Sequence, residues 1–179
     1  LEFYLNYKKD LTKLKSTLDV TGGYSWQHFQ EEGNNLSRAL IDTIDQEYTD
    51  YINEYYLLSF FGRAFYTLNN KYLLTLTLRN DASSRFQKDS RWGLFPATAF
   101  AWKINEEKFL KNVKTITNLK LRLGWGVTGQ QDIGGFYPSM ATYLLSEKES
   151  SYLFEGQYLR TLRPEAYDPQ IKWEETTTL

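Results

Sequence analysis

The sequence predicts an all-β chain: an antiparallel meander of about six to seven long strands forming part of a transmembrane barrel wall, with short turns on one rim and long loops on the other. Three observations support this. Large apolar residues recur at alternate positions, aromatic residues gather near the ends of those runs, and the connections between runs alternate between short and long.

Leu1 to Tyr7 alternates Leu1, Phe3, Leu5 and Tyr7 with Glu2, Tyr4 and Asn6, and Lys8 to Lys13 follows as a short polar return. From Leu14 to Trp26, the positions Leu14, Leu18, Val20, Tyr24 and Trp26 oppose Lys15, Thr17, Asp19, Thr21 and Ser25, over a length that carries a tilted strand across a bilayer. His28 stands at its far end beside Phe29. With no second His and no Cys in the chain, it is expected to be an interfacial or packing residue and not a metal ligand. Gln30 to Glu54 is a long insertion in which Leu36, Leu40, Ile41, Ile44 and Tyr48 recur at helical spacing, so a short amphipathic helix is expected. Its seven acids face Arg38 alone. They lack the ligand spacing of a calcium loop and suggest a solvated face.

Tyr56 to Leu68 sets Leu58, Phe60, Ala64, Tyr66 and Leu68 against Ser59, Phe61, Arg63 and Thr67. Asn69-Asn70 is expected to close a hairpin, because Asn tolerates the left-handed conformation that such turns use. Tyr72 to Arg79 alternates again, Asn80 to Arg91 is polar enough to predict a solvated loop, and Trp92 to Ile104 returns with a bulky face and a small one. Asn105-Glu106-Glu107-Lys108 resembles a capped helix start, predicting a short helix to about Lys114. Leu119, Leu121, Leu123, Trp125 and Val127 then oppose Lys120, Arg122, Gly124, Gly126 and Thr128. Gly129 to Asp168 is a second long, aromatic-rich loop, and Ile171 to Leu179 begins a seventh strand.

Composition narrows the function classes. With 21 Lys and Arg against 22 Asp and Glu, the net charge of −1 excludes a dominant electrostatic footprint for nucleic acid. The absence of Cys excludes disulfides and thiolate chemistry. No run approaches the roughly 20 apolar residues of a membrane helix, which leaves barrel strands untouched because they carry apolar residues at alternate positions only. A glycosidase needs two convergent carboxylates roughly 5 to 10 Å apart. Glu106-Glu107 and Glu174-Glu175 are sequence neighbours whose side chains diverge, so no enzyme and no cofactor are expected. The sequence begins at Leu1 without a signal peptide and stops just after a strand-like run, which suggests a piece of a longer chain. A soluble carbohydrate-binding β-module with exposed Trp and Tyr remains the alternative.

Several runs, in this order, resemble the SusC/RagA-type TonB-dependent transporters of Gram-negative outer membranes. They are Phe61-Gly62-Arg63, Tyr72-Leu73-Leu74-Thr75, Leu78-Arg79, Asp81-Ala82-Ser83-Ser84-Arg85-Phe86, Trp92-Gly93-Leu94-Phe95-Pro96, Ala101-Trp102, Glu106-Glu107-Lys108-Phe109-Leu110 and Val127-Thr128-Gly129-Gln130-Gln131-Asp132-Ile133. The resemblance covers most of Tyr55 to Ile133. Ala82 stands where the family often has Gly, and Pro96 is expected to need a strand irregularity because it lacks a donor. The resemblance implies that residues 1–179 are part of a receptor barrel domain, without its plug, its TonB-contacting segment or its signal peptide. It further implies import of an oligosaccharide or peptide energised through TonB, a SusD-like lipoprotein partner, and location in the bacterial outer membrane. Arg63, Arg79, Lys120 and Arg122 are the candidate lumen-facing residues.

Overall fold

The computed structural model describes residues 1–38, 46–110, 115–146 and 150–179. Its main sheet is an antiparallel meander. Strand β1 (Glu2–Leu11) turns through a short 3₁₀ segment (Thr12–Leu14) into β2 (Ser16–Arg38), followed by β3 (Gln46–Leu68), β4 (Tyr72–Ser83), β5 (Trp92–Lys103) and β6 (Lys120–Gln130). Four three-residue strands follow: β7 (Tyr143–Leu145), β8 (Tyr152–Phe154), β9 (Gln157–Leu159) and β10 (Leu162–Pro164). The chain then returns as β11 (Glu174–Thr178) beside β6, giving a seven-stranded order β1-β2-β3-β4-β5-β6-β11 in which β1 and β11 each pair on one side only.

The turn between β3 and β4 forms as the sequence predicts: Asn69 and Asn70 have φ of 51° and 56°, and the Lys71 amide donates to the Leu68 carbonyl at 3.0 Å. Asn is among the few residues that reach this region at low cost.

Five expectations are corrected. The helix expected within Gln30 to Glu54 is absent where the chain is described, because β2 and β3 run through it, pairing Gln30 with Glu54 and Leu36 with Tyr48. Leu40, Ile41 and Ile44 lie outside the described residues. Tyr48, Thr49, Tyr51, Ile52 and Tyr55 all favour strands, and extending an existing ladder needs no new nucleus, which outweighs a few apolar residues at helical spacing. β1 likewise runs into the expected return of Lys8 to Lys13 as far as Leu11, pairing Lys8 with Asp19 and Asp10 with Thr17 of β2.

The expected helix from Asn105 is a single 3₁₀ turn, Ile104–Glu106, and residues 111–114 lie outside the described part. Asn105 does not cap it; its Oδ1 accepts instead from the Leu119 amide at 3.4 Å. The loop expected to be solvated from Asn80 is strand as far as Ser83 and then turns inward, leaving Phe86 1% exposed. Finally, Val127 leaves the face of Leu121, Leu123 and Trp125. The β5–β6 ladder ends at Ala97↔Gly126, next to Pro96, which has no amide proton to continue it. Beyond that point Val127 packs on the Phe86–Phe95–Trp173 cluster, and a Cβ on Gly129 would collide with the Phe95 ring.

Over the paired region the registers sort the sheet into two faces. One carries Leu18, Val20, Ala64, Leu74, Leu76, Leu78, Leu121, Leu123 and Trp125, with Leu76, Leu78 and Leu123 about half exposed. This apolar band is bordered by aromatic rows. Tyr24, Phe60 and Trp92 adjoin one another at 6.4 Å and 6.1 Å between ring centroids toward the looped end, and Tyr72 and Trp102 stack at 6.3 Å toward the turn end. His28, four positions beyond Tyr24 along β2, stacks on Tyr56 at 4.5 Å with Glu54 at 3.2 Å from its Nε2, so it is a packing residue. The opposite face carries Thr17, Asp19, Thr21, Ser59, Arg63, Thr75, Thr77, Ala97, Ala99 and Arg122.

At the turn end, Glu107 ties the connector after β5 to the aromatic row. Its carboxylate accepts from the Tyr72 hydroxyl at 2.7 Å, from Lys71 Nζ at 3.0 Å and from Trp102 Nε1 at 3.1 Å. These donors, the Tyr72 hydroxyl foremost and then Lys71 and Trp102, hold the Glu107 carboxyl at about 2 instead of its ordinary 4.5. Because the folded value lies below the unfolded one, the contact contributes fully above about pH 4.5 and is lost as pH falls through about 2. Trp102 emission is therefore expected to stay constant from pH 7 to about 3. Glu107→Gln should alter that emission at neutral pH, and a transition of the unsubstituted protein centred near 4.5 would contradict the assignment.

Candidate functional site

The looped end of the polar face holds the one buried apolar cluster found among the described residues, and that cluster organises the loops. Phe86 meets Trp173 at 5.3 Å, Trp173 meets Phe95 edge-on at 5.3 Å, and Leu57, Val127, Ile133 and Ile171 pack around them. Trp173 Nε1 donates to the Arg91 carbonyl at 2.9 Å, so the start of β11 is pinned to the β4–β5 loop by a hydrogen bond as well as by packing.

Arg85, next to Phe86, is only 7% exposed and works as the polar hub of the same region. Its guanidinium donates to the Gln131 carbonyl at 3.1 Å and to the Gly135 carbonyl, lies 3.6 Å from the Asp132 carboxylate, and sits over the Tyr55 ring at 5.2 Å. Five fixed donors suit Arg to holding several carbonyls of one loop at once. Reciprocal bonds close the hub: Gln87 Nε2 donates to the Ser139 carbonyl at 2.8 Å, and Ser139 Oγ donates to the Arg85 carbonyl at 3.0 Å. The Tyr137 hydroxyl donates to the Glu54 carbonyl, bringing β3 into the network.

Above this hub lies an open cleft of about 660 Å³ whose walls include Phe29, Tyr55, Arg85, Asp132 and Phe136. Phe29 and Tyr55 stack at 4.6 Å, and Phe136 tilts onto Tyr55 at 6.0 Å. Tyr143, Tyr152, Phe154 and Tyr158 of the neighbouring hairpins β7–β10 and β8–β9 are exposed. The cleft thus offers aromatic, carboxylate and amide groups at the looped end, where a solute or a protein surface arriving from outside the sheet meets them. Among the described residues, no group of three His, Asp or Glu is placed to hold a metal ion.

The candidate residues Arg63, Arg79, Lys120 and Arg122 all fall on the polar face, since Arg63 opposes Thr77, Arg79 opposes Phe61, and Ala101 opposes Arg122. They do not form one row. Arg79 is neutralised, its Nε donating to both Asp81 oxygens at 2.8 Å and its Nη2 to Ser59 Oγ at 2.9 Å. Lys120 lies opposite Lys103, a further cation of this face, and Arg122 follows two positions along the same strand face. Arg85, Tyr137 and Glu107 were also missed as organisers. The signal available for Arg85 was its place beside Phe86 in a polar run, because an isolated large aromatic in such a run needs somewhere to bury.

The comparisons with known proteins bear on this architecture. No protein-family model matches the chain. The TonB-dependent receptor SusC of Bacteroides thetaiotaomicron is 42% identical over 182 residues, which take in 98% of this chain and 18% of SusC. The chain belongs to the SusC/RagA family of TonB-dependent receptors. The TonB-dependent receptor P3 of Formosa agariphila is 33% identical over 193 residues, covering 99% of this chain and 18% of that receptor. A chain of the RagAB peptide transporter shares the fold, with a TM-score of 0.78 at 21% identity over 97% of this chain and 20% of that chain. The chain thus spans about a fifth of the length of its SusC/RagA-type relatives. These relatives are receptors and transporters, in agreement with the expectation that the chain is not an enzyme.

Proposed function

We propose that this SusC/RagA-type chain forms wall and outer loops of a nutrient importer in the bacterial outer membrane, as part of a receptor barrel domain. In this reading the face of Leu74, Leu76 and Leu78 meets lipid, and the face of Arg63, Arg79, Lys120 and Arg122 lines the lumen. The observation that carries it is the half-exposed apolar band bordered by two aromatic rows. A soluble carbohydrate-binding module has no use for such a band, whereas a barrel requires an apolar belt about 25 Å tall between aromatic girdles. The whole receptor takes up an oligosaccharide or a peptide, with force delivered through TonB and a SusD-like lipoprotein seated at the looped rim. The receptor relatives and the peptide named for RagAB support this.

Contacts with substrate and lipoprotein come from the loops, chiefly Gly129 to Asp168, because the turn rim between β3 and β4 offers only Asn69 and Asn70. Deleting Gly135 to Gln157 from the full-length receptor is expected to abolish both uptake and lipoprotein association while the barrel still assembles. Wild-type uptake and association in an assembled barrel would show that the function lies elsewhere.

A further inference from the structure

The turn end of the sheet carries a cleft of about 750 Å³ that the importer reading leaves without a role. Three lysines line it, Lys15 from the β1–β2 turn, Lys71 from the β3–β4 turn and Lys108 from the connector after β5, against the single carboxylate of Asp10. Lys71 is engaged by Glu107, and Asp10 accepts from Thr17 Oγ1 at 2.9 Å, while Lys15 and Lys108 have no ion pair among the described residues. Ser16, also in the lining, is 6% exposed, and its Oγ has no hydrogen-bond partner among the described residues. A buried hydroxyl without a partner is uncommon, and here it stands beside an excess of positive charge.

The position of this cleft selects its ligand. Ser16 and Tyr72 line it from the apolar face, at the level of the Tyr72–Trp102 pair and directly below Leu18, Leu74 and Leu76, while Asp10 and Thr17, which also line it, belong to the opposite face. A group bound there has its charge among lysines and its continuation over leucines. That is the shape of an amphiphile, not of a free ion. Basic residues at the headgroup level attract anionic lipids, each adding about fivefold in affinity.

We propose that Lys15, Lys108 and Ser16 form a seat for the phosphate of an anionic phospholipid of the inner leaflet, whose acyl chains lie on the apolar band. The inference rests on the assignment of that band to lipid. The test uses the full-length receptor in nanodiscs containing phosphatidylglycerol and phosphatidylcholine, with retained lipid counted by native mass spectrometry. Lys15→Asn keeps the left-handed turn that Lys15 adopts at φ 48°, and Lys108→Gln lies on the connector, so neither removes a strand contact. Unsubstituted receptor should retain phosphatidylglycerol over phosphatidylcholine, the single variants should lose about fivefold and the double variant about 25-fold. Equal retention by unsubstituted and double-variant receptor overturns the seat while leaving the barrel reading intact. Displacement of the lipid by millimolar inorganic phosphate assigns the cleft to free anions and also overturns it. Failure of the full-length receptor to enter nanodiscs overturns the barrel reading, and the seat with it.

Discussion

Phe86→Ala is expected to open the outer loops by about 3–5 kcal/mol, the loss typical of truncating a buried aromatic. Phe86 is 1% exposed and is one of only three large apolar side chains buried in the cluster, so the cavity has few neighbours able to collapse into it. The strands themselves are held by ladder hydrogen bonds and should remain. What loosens is the attachment of the β4–β5 loop to Trp173 and, through Arg85, to the carbonyls of Gln131 and Gly135. Hydrogen exchange of the full-length receptor reads this directly: amides of residues 84–91 and 131–140 should exchange about 100-fold faster or more, with residues 72–79 unchanged. Unchanged exchange in both loops would show that the cluster does not hold them.

How far the sequence alone reaches depends on the range of the interaction concerned. The alternation of Leu121 and Leu123 with Lys120 and Arg122 is a property of one strand, and the Asn69-Asn70 turn is a property of two residues, so both stand in the structure as expected. The rim asymmetry follows from connection lengths and likewise needs no partner. The reach of β2 and β3 past Gln30 and Glu54 is different, since each segment becomes a strand only because the other lies beside it. Arg85 and Phe86 were hidden for the same reason. Their partners Gln131, Ser139 and Trp173 lie more than 45 residues away, and a polar run that is locally loop-like is buried by them. Val127 changes face because a proline on the neighbouring strand ends the ladder, an effect that the alternation of β6 by itself cannot show. Of the four candidate cations, sharing one face was readable from parity. The neutralisation of Arg79 by Asp81 and Ser59 was not.

In the proposed barrel, adjacent residues of β4 face different media, lipid for Leu76 and lumen for Thr77. Leu76 is 49% exposed, paired between Ala64 and Thr98 midway between the aromatic rows, whereas Thr77 opposes Arg63 and Ala97 on the other face. An arginine at the lipid-facing midplane of a barrel costs about 2–4 kcal/mol, and one facing the lumen costs little. The most direct test is the amount of folded, heat-modifiable full-length receptor in outer membranes carrying Leu76→Arg or Thr77→Arg. Leu76→Arg should lower the folded fraction at least tenfold under a denaturant titration that leaves Thr77→Arg within twofold of the unsubstituted receptor. Equal tolerance of the two substitutions, or a greater loss from Thr77→Arg, would contradict the assignment of the two faces.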